Sequence, residues 1–265
     1  IYIIPWLSLF YDMQRWNTHP AIRPHIEGGK RIGYGARALN NGGLQAMPQL
    51  AFPGGVLVGC EAGLLNAARI KGTHTAIKSG MLAADAIVQA LGRGRSLDVL
   101  DAYPQALRAS WLYQELQGSK NFKPWFGKYG NLVGSVMTGV EQWLLPKIGI
   151  HNPPWTLHSA TPDHQTLQPA AACPRIDYPK PDGKLTFDRL SSVFLSNTHH
   201  EENQPAHLTL KNADVPVHIN LAQYAGPEAR YCPAGVYEFV ESQGQPHLQI
   251  NAANCVHCKT CDIKD

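Results

Sequence analysis

Three cysteines stand at two-residue gaps near the C-terminus, in Cys255-Val256-His257-Cys258-Lys259-Thr260-Cys261. A loop with that spacing wraps one corner of an iron–sulfur cubane and ligates three of its irons, so the fourth thiolate comes from elsewhere in the chain. Ferredoxins of the bacterial type use a remote cysteine followed by proline, and Cys173-Pro174 and Cys232-Pro233 both have that form. Register favours Cys232. Val236–Glu241 and Pro246–Asn251 are expected to be strands on either side of Ser242-Gln243-Gly244-Gln245, a hairpin turn signal. With Gln243-Gly244 as the two-residue loop, paired residue numbers sum to 487 and Cys232 falls opposite Cys255. A zinc-stabilised structural or interaction module is the alternative use of four thiols, but structural zinc sites usually present two separated cysteine pairs. Cys60 and Cys173 are expected to be plain buried cysteines. His257 is expected to face solvent or play a structural part without ligating, and the other histidines, His199 and His200 among them, to be ordinary surface residues.

The elements that position this loop are legible in outline. Residues 28–55 are dense in glycine, which suggests tight turns and close approach of backbone to a ligand. Val56-Leu57-Val58 before Gly59 is expected to be a buried strand. Residues 73–91 are expected to form a helix capped by Thr73 or Thr75, with Ala76, Gly80, Ala83 or Ala84, and Ile87 on its packed face. The run from Gly54 to Gly63 followed by that helix has two readings: a flavin-contacting segment in which the strand ends at Gly59, or any βα unit of an α/β domain. No G-x-G-x-x-G follows a strand, and Gly33-Tyr34-Gly35 is a decoy lacking the third glycine. Residues 98–118 are expected to be helical, and residues 159–184 to be a Pro-rich surface linker. Leu185–Leu195, Leu208–Leu210 and Val215–Leu221 are expected to be strands and turns.

Composition bounds the function. The chain has 265 residues, 44% hydrophobic and 16% charged, which describes a folded protein. A formal net charge of +3 without a dense Lys/Arg stripe makes no case for nucleic acid as a partner. Four of the six cysteines lie in the last 34 residues, and that crowding signals metal ligation in a reducing compartment, not a disulfide framework. No apolar run reaches the length of a transmembrane helix. Phe122–Trp155 is too interrupted to span a bilayer, yet its aromatic residues with Lys123, Lys128 and Lys147 at the flanks suit a segment lying in the membrane interface, the other reading being a buried core helix. The apolar start has no Met and no basic region, so a signal peptide is a poor reading. The last cysteine stands four residues from the end, and both ends suggest a fragment of a longer protein.

Further runs carry a resemblance. They are Glu27-Gly28-Gly29-Lys30-Arg31, Gly35-Ala36-Arg37-Ala38-Leu39-Asn40, Lys71-Gly72-Thr73-His74-Thr75-Ala76, Leu185-Thr186-Phe187-Asp188-Arg189-Leu190, His200-Glu201-Glu202-Asn203-Gln204-Pro205, Cys232-Pro233-Ala234-Gly235-Val236-Tyr237-Glu238 and Cys255 through Asp265. With these the chain resembles the C-terminal half of the electron-transfer flavoprotein–ubiquinone oxidoreductase family. The resemblance implies a mixed α+β architecture. Residues 1–27 would be a quinone-domain remnant, 28–95 the C-terminal part of an FAD-binding α/β domain, 96–160 a helical quinone-domain segment touching the membrane, and 161–265 a ferredoxin-like 4Fe-4S domain. It implies that Asn40 and Thr73, with Gly59, contact FAD. It implies that Tyr237 and Thr260 donate hydrogen bonds near a cluster held by Cys232, Cys255, Cys258 and Cys261. The implied partners are electron-transfer flavoprotein, ubiquinone and a membrane surface, on the cytoplasmic face of a bacterial inner membrane or the matrix face of a mitochondrial one. Glu61 stands where related flavoproteins often use a Gly-Asp pair. A flavoprotein dehydrogenase paired with a ferredoxin, of the kind that supplies electrons to nitrogen fixation, is the rival within redox chemistry; such systems usually split the two parts between chains.

Overall fold

The computed structural model describes residues 4–158, 161–201 and 203–264. Ile1–Ile3 of the opening run and Glu202 of the quoted motif lie outside the described residues. In chain order the α-helices are α1 (Leu9–Asn17), α2 (Arg23–Ile26), α3 (Thr73–Gly92), α4 (Ala102–Arg108), α5 (Trp111–Gly118), α6 (Phe122–Gly139), α7 (Leu145–Lys147), α8 (Arg189–Phe194), α9 (Ala222–Tyr224), α10 (Glu228–Tyr231) and α11 (Cys261–Lys264). The strands are β1 (Ala51–Phe52), β2 (Gly55–Val56), β3 (Tyr237–Ser242) and β4 (Gln245–Ile250). Two compact units result, one of residues 1–38 and 161–265, the other of residues 39–160.

The second unit is helical around a core of Leu64, Tyr103, Leu107, Leu112 and Leu116 with the alanines of α3. The expected buried strand at Val56–Val58 is corrected. Gly55–Val56 pairs antiparallel with Ala51–Phe52, and Val58 is exposed. The cause is Pro53-Gly54, a turn pair whose glycine sits at φ +78, so the chain folds back at once and no longer strand forms. The expected cap of α3 is also corrected. Gly72 occupies the N-cap without a side-chain bond, while the Thr75 hydroxyl donates to the carbonyls of Leu64 (2.6 Å) and Gly72 (2.8 Å). The packed face of α3 is therefore Thr75, Ser79, Ala83, Ala86 and Ala90, and Ile87 points outward. Small residues on this face bring the Gly59–Ala62 turn against the helix, where the Gly59 N–H donates to Ser79 Oγ at 2.9 Å. Ser79→Ala would leave that buried N–H without an acceptor, a loss of about 1–3 kcal/mol. Denaturant unfolding of the purified variant measures it, and the iron content is expected to stay at the wild-type value.

The segment from residue 98 to 118 is helical as expected, but Ala109-Ser110 divides it into α4 and α5. In α6 the helix breaks at Gly130 (φ +72) and continues into a π-turn at Val140–Leu144. Glu141, in that turn, is buried and accepts N–H groups from Asn121 (3.0 Å) and from the indoles of Trp125 (2.9 Å) and Trp155. Elsewhere in this stretch apolar side chains stand open, with Leu132 81%, Val136 60% and Trp143 75% exposed. No described helix is long and apolar enough to cross a membrane.

In the first unit the expected strands and turns at Leu185–Leu195 and Val215–Leu221 are helical instead. Asp188 caps α8 by accepting the Ser191 N–H at 2.8 Å, and Pro216 opens a π-helical turn over Pro216–Leu221 that runs into α9. A capping aspartate and a first-turn proline outweigh apolar alternation over so short a span. The hairpin follows its expected register. Tyr237 pairs with Ile250 and Ser242 with Gln245, and Gln243 and Gly244 take φ +54 and +76. Both central residues of the turn thus have positive φ, as the two-residue hairpin demands.

Candidate metal centre

The hairpin ends where the two cysteine loops begin. A backbone bond from the Asn251 N–H to the Val236 carbonyl (2.7 Å) extends the ladder by one step, after which both chains leave it. On one side the short helix α10 ends at Cys232, whose N–H donates to the Glu228 carbonyl at 3.2 Å. On the other a 3-10 turn at Ala252–Asn254 leads into Cys255. The register thus delivers Cys232 and Cys255 together, although the ladder itself stops short of them.

Backbone amides are turned toward the sulfurs. Val236 N–H lies 3.5 Å from Cys232 Sγ, and His257 N–H lies 3.4 Å from Cys255 Sγ. His257 and Lys259 adopt φ of +53 and +66. Such residues cost roughly 1–3 kcal/mol each when they are not glycine, and they occur where surrounding structure imposes them. Here they let the loop curl so that Cys258 and Cys261 come near the Cys255 sulfur. Cys258 Sγ and Thr260 Oγ1 are 3.3 Å apart, both residues being buried. The thiol donates in the protonated state; once the sulfur is a thiolate, the hydroxyl must donate to it.

The sulfur of Cys255 is the common neighbour of the other three. Burial pushes the Cys255 thiol up, and the sulfurs of Cys258, Cys261 and Cys232 push it further, against the downward pull of the His257 N–H. Burial likewise pushes the Cys232 thiol up, with the N–H groups of Val236 and Ala234 pulling it down and Cys258 adding a smaller upward push. Four soft donors crowded in this way repel one another as thiolates, and a multivalent cationic centre removes that repulsion. The donor set, four thiolates with amide donors behind them, fits an iron–sulfur cluster. Cys232 and Cys258 are buried, at 5% and 9% exposure, while Cys255 and Cys261 remain half-exposed.

Cys60 and Cys173 are partly exposed, which corrects the expectation that they are buried. Cys173 follows a short turn at Ala170–Ala172, and its nearest polar partner is Gln168. His257 is exposed as expected, but His200 is no ordinary surface residue. Its Nε2 donates to the Cys255 carbonyl at 2.8 Å, and its ring stacks on His207. The ring nitrogens of His207 and His257 and the sulfur of Cys255 lie within 4.8 Å of one another. Tyr237 is buried at the start of β3, its ring edge-on to Tyr231 with centroids 6.4 Å apart.

A family model described as "Electron transfer flavoprotein-ubiquinone oxidoreductase, 4Fe-4S" matches residues 183–265, and one described as "ETF-QO, ubiquinone-binding" matches residues 1–39. The electron transfer flavoprotein-ubiquinone oxidoreductase of Pseudomonas aeruginosa is 54% identical over 267 residues, which is 100% of this chain and 48% of that protein. This chain is similar to that protein along its whole length. The mitochondrial family member of Rattus norvegicus is 54% identical over 98% of this chain and 43% of its own length, and that of Caenorhabditis elegans 51% identical over 100% and 45%. The chain thus spans a little under half the length of the relatives it matches.

Three residues around the centre escaped sequence reasoning. Tyr34, set aside as part of a glycine decoy, donates its hydroxyl to the buried Pro233 carbonyl at 2.8 Å. Arg189 donates to the Cys232 carbonyl at 3.2 Å, and the Ala38 N–H donates to the Cys258 carbonyl at 2.7 Å. All three act across long sequence separations; Ala38 and Arg189 stand inside runs that carried the resemblance, while nothing in the sequence pointed to Tyr34. In the other unit Asn40 lies against Gly63, which has φ +72, and Thr73 opens the helix on which the turn beginning at Gly59 packs.

Proposed function

We propose that this chain forms the iron–sulfur and membrane-contacting part of an oxidoreductase that takes electrons from electron transfer flavoprotein and delivers them to ubiquinone. One observation carries the reading: four cysteines from two loops converge, with backbone N–H groups aimed at the sulfurs of Cys232 and Cys255. Cys232, Cys255, Cys258 and Cys261 would hold a 4Fe-4S cluster, which when bound supplies a one-electron store. The protein's own work is to place the store, shield one side of it and set its potential, and no acid–base residue is needed for that. The buried pair, Cys232 and Cys258, excludes water from the inner side, and the half-exposed pair, Cys255 and Cys261, gives the outer side through which a soluble donor reaches it.

The family likeness extends the proposal to FAD, with Asn40, Gly59 and Thr73 contributing to its site beside the 59–63 turn. It also supports reading residues 1–27 and 96–160 as quinone-domain segments. The open apolar ridge of Leu132, Val136 and Trp143 supports contact with a membrane surface without a span.

Electron paramagnetic resonance of the reduced protein, with iron and sulfide counted, tests the cluster. A colourless protein containing zinc would overturn it, because zinc thiolate sites do not absorb visible light. Thr260→Ala removes the hydroxyl next to Cys258 sulfur, and Tyr237→Phe tests the phenol near the same centre. Donors to cluster sulfur stabilise the more negative reduced state. Both variants are expected to keep the cluster and lower its midpoint potential, as measured by redox titration; unchanged potentials would refute the tuning role.

A further inference from the structure

The two carbonyls that flank the remote ligand are held by side chains from distant parts of the first unit. Arg189, the first residue of α8, places Nη1 3.2 Å from the Cys232 carbonyl and 2.8 Å from the Ala229 carbonyl. Tyr34 places its hydroxyl 2.8 Å from the next carbonyl, that of Pro233. Gly235 makes room for the guanidinium: a Cβ there would stand 3.2 Å from Arg189 Nε, and its φ of +65 also calls for glycine. The extended stretch carrying Tyr34 is fastened to α8 by Arg31, which donates to Ser192 Oγ (2.6 Å) and Ser191 Oγ (3.2 Å) and lies over the Phe187 ring at 4.1 Å. Its other end reaches the cysteine loop through the bond from Ala38 N–H to the Cys258 carbonyl. Remote and local ligands are thus tied to one another by a strap outside the cysteine motif.

We infer that Arg189 is a positioning residue that fixes the Cys232 loop and, through its charge, raises the reduction potential of the centre held there, with Tyr34 keeping the loop against it. The inference rests on the reading that Cys232 and Cys258 are cluster ligands. Among the described residues the acceptors of Arg189 are neutral carbonyls, so its positive charge is not spent on a carboxylate. A fixed positive charge beside a centre that gains an electron stabilises the reduced form. The electrostatic neighbourhood agrees. Burial pushes the Tyr34 phenol up to about 12, the sulfurs of Cys258 and Cys232 push in the same direction, and Arg189 opposes them. The phenol therefore remains a donor at neutral pH.

The test is a redox titration followed by electron paramagnetic resonance on the full-length protein. Arg189→Met is expected to retain iron and sulfide and to lower the reduced-to-oxidised ratio at the wild-type midpoint about tenfold, which is 59 mV for one electron. Arg189→Lys, which keeps the charge and loses the fork, is expected to stay near the wild-type potential. Tyr34→Phe is expected to lose iron to a chelator several-fold faster. Arg189→Met with a full cluster and an unchanged potential would overturn the inference. Should Arg189→Met fail to hold a cluster, Arg189→Lys decides: a tenfold drop in the same ratio, despite the retained charge, would overturn it as well. The wild-type iron and sulfide count tests the underlying cluster reading separately.

Discussion

Replacing Cys232 with Ser is expected to abolish the four-iron signal, while Cys173→Ser leaves it intact. The contrast is geometric. Cys232 is buried beside Cys255 and Cys258 at the foot of a hairpin whose register is fixed by a two-residue turn. Cys173 sits partly exposed after a short turn, with Gln168 as its nearest polar partner. A hydroxyl is a poor substitute for a soft thiolate. Loss of an outer-shell partner alone costs ~10–100-fold in metal affinity, and loss of the ligand itself costs more. Iron and sulfide per chain are therefore expected to fall by at least about tenfold in Cys232→Ser. The C-terminal segment should lose order with it, because ligation free energy is also folding free energy for a loop with little core of its own. Amide hydrogen exchange over residues 252–264 reads that loss. A full cluster in Cys232→Ser together with its loss in Cys173→Ser would overturn the ligand assignment.

The second large effect is expected at the membrane. A fully buried large apolar side chain contributes about 1.5–3 kcal/mol. Replacing Leu132, Val136 and Trp143 together with Asp is therefore expected to weaken binding of the full-length protein to phosphatidylglycerol-containing vesicles by more than ~100-fold. Trp125 behaves differently from Trp143, although the sequence presents them alike. Its indole is turned inward onto Glu141, whereas Trp143 stands open. Trp125→Phe is expected to lower thermal stability and leave vesicle binding within a few-fold of wild type. Unchanged vesicle binding in the folded triple variant would rule out this ridge as the contact.

Local rules read well where a few neighbouring residues decide the outcome. Gln243-Gly244 dictates a hairpin, and the hairpin dictates the pairing of Tyr237 with Ile250. The same kind of rule, misapplied, gave the main errors. Pro53-Gly54 is a turn pair, yet the apolar run after it suggested a longer strand. Asp188 and Pro216 are helix-start residues, yet the alternation around them suggested strands. In each case a capping or turn residue outweighed the apolar pattern, because over six or seven residues a cap or a fixed φ contributes as much as burial. Of the candidate centre, residue type and spacing identified the four cysteines, since ligand chemistry leaves little choice of side chain.

What the sequence by itself determined is therefore the chemistry and the hairpin: four thiols, their two loops, and the register that brings the loops together. The tertiary structure alone decided what surrounds them. Tyr34, Ala38, Arg189 and His200 each bond a backbone carbonyl of the cysteine loops across at least 40 residues of chain. A carbonyl has no side-chain identity, so no motif in either partner announces such a bond. The left-handed backbone at His257 and Lys259 is equally silent, because glycine would be the usual sign of it and neither position is glycine. Whether a tryptophan stands open or turns onto a buried carboxylate likewise depends on where Glu141 is brought by the π-turn, a packing outcome that periodicity does not encode.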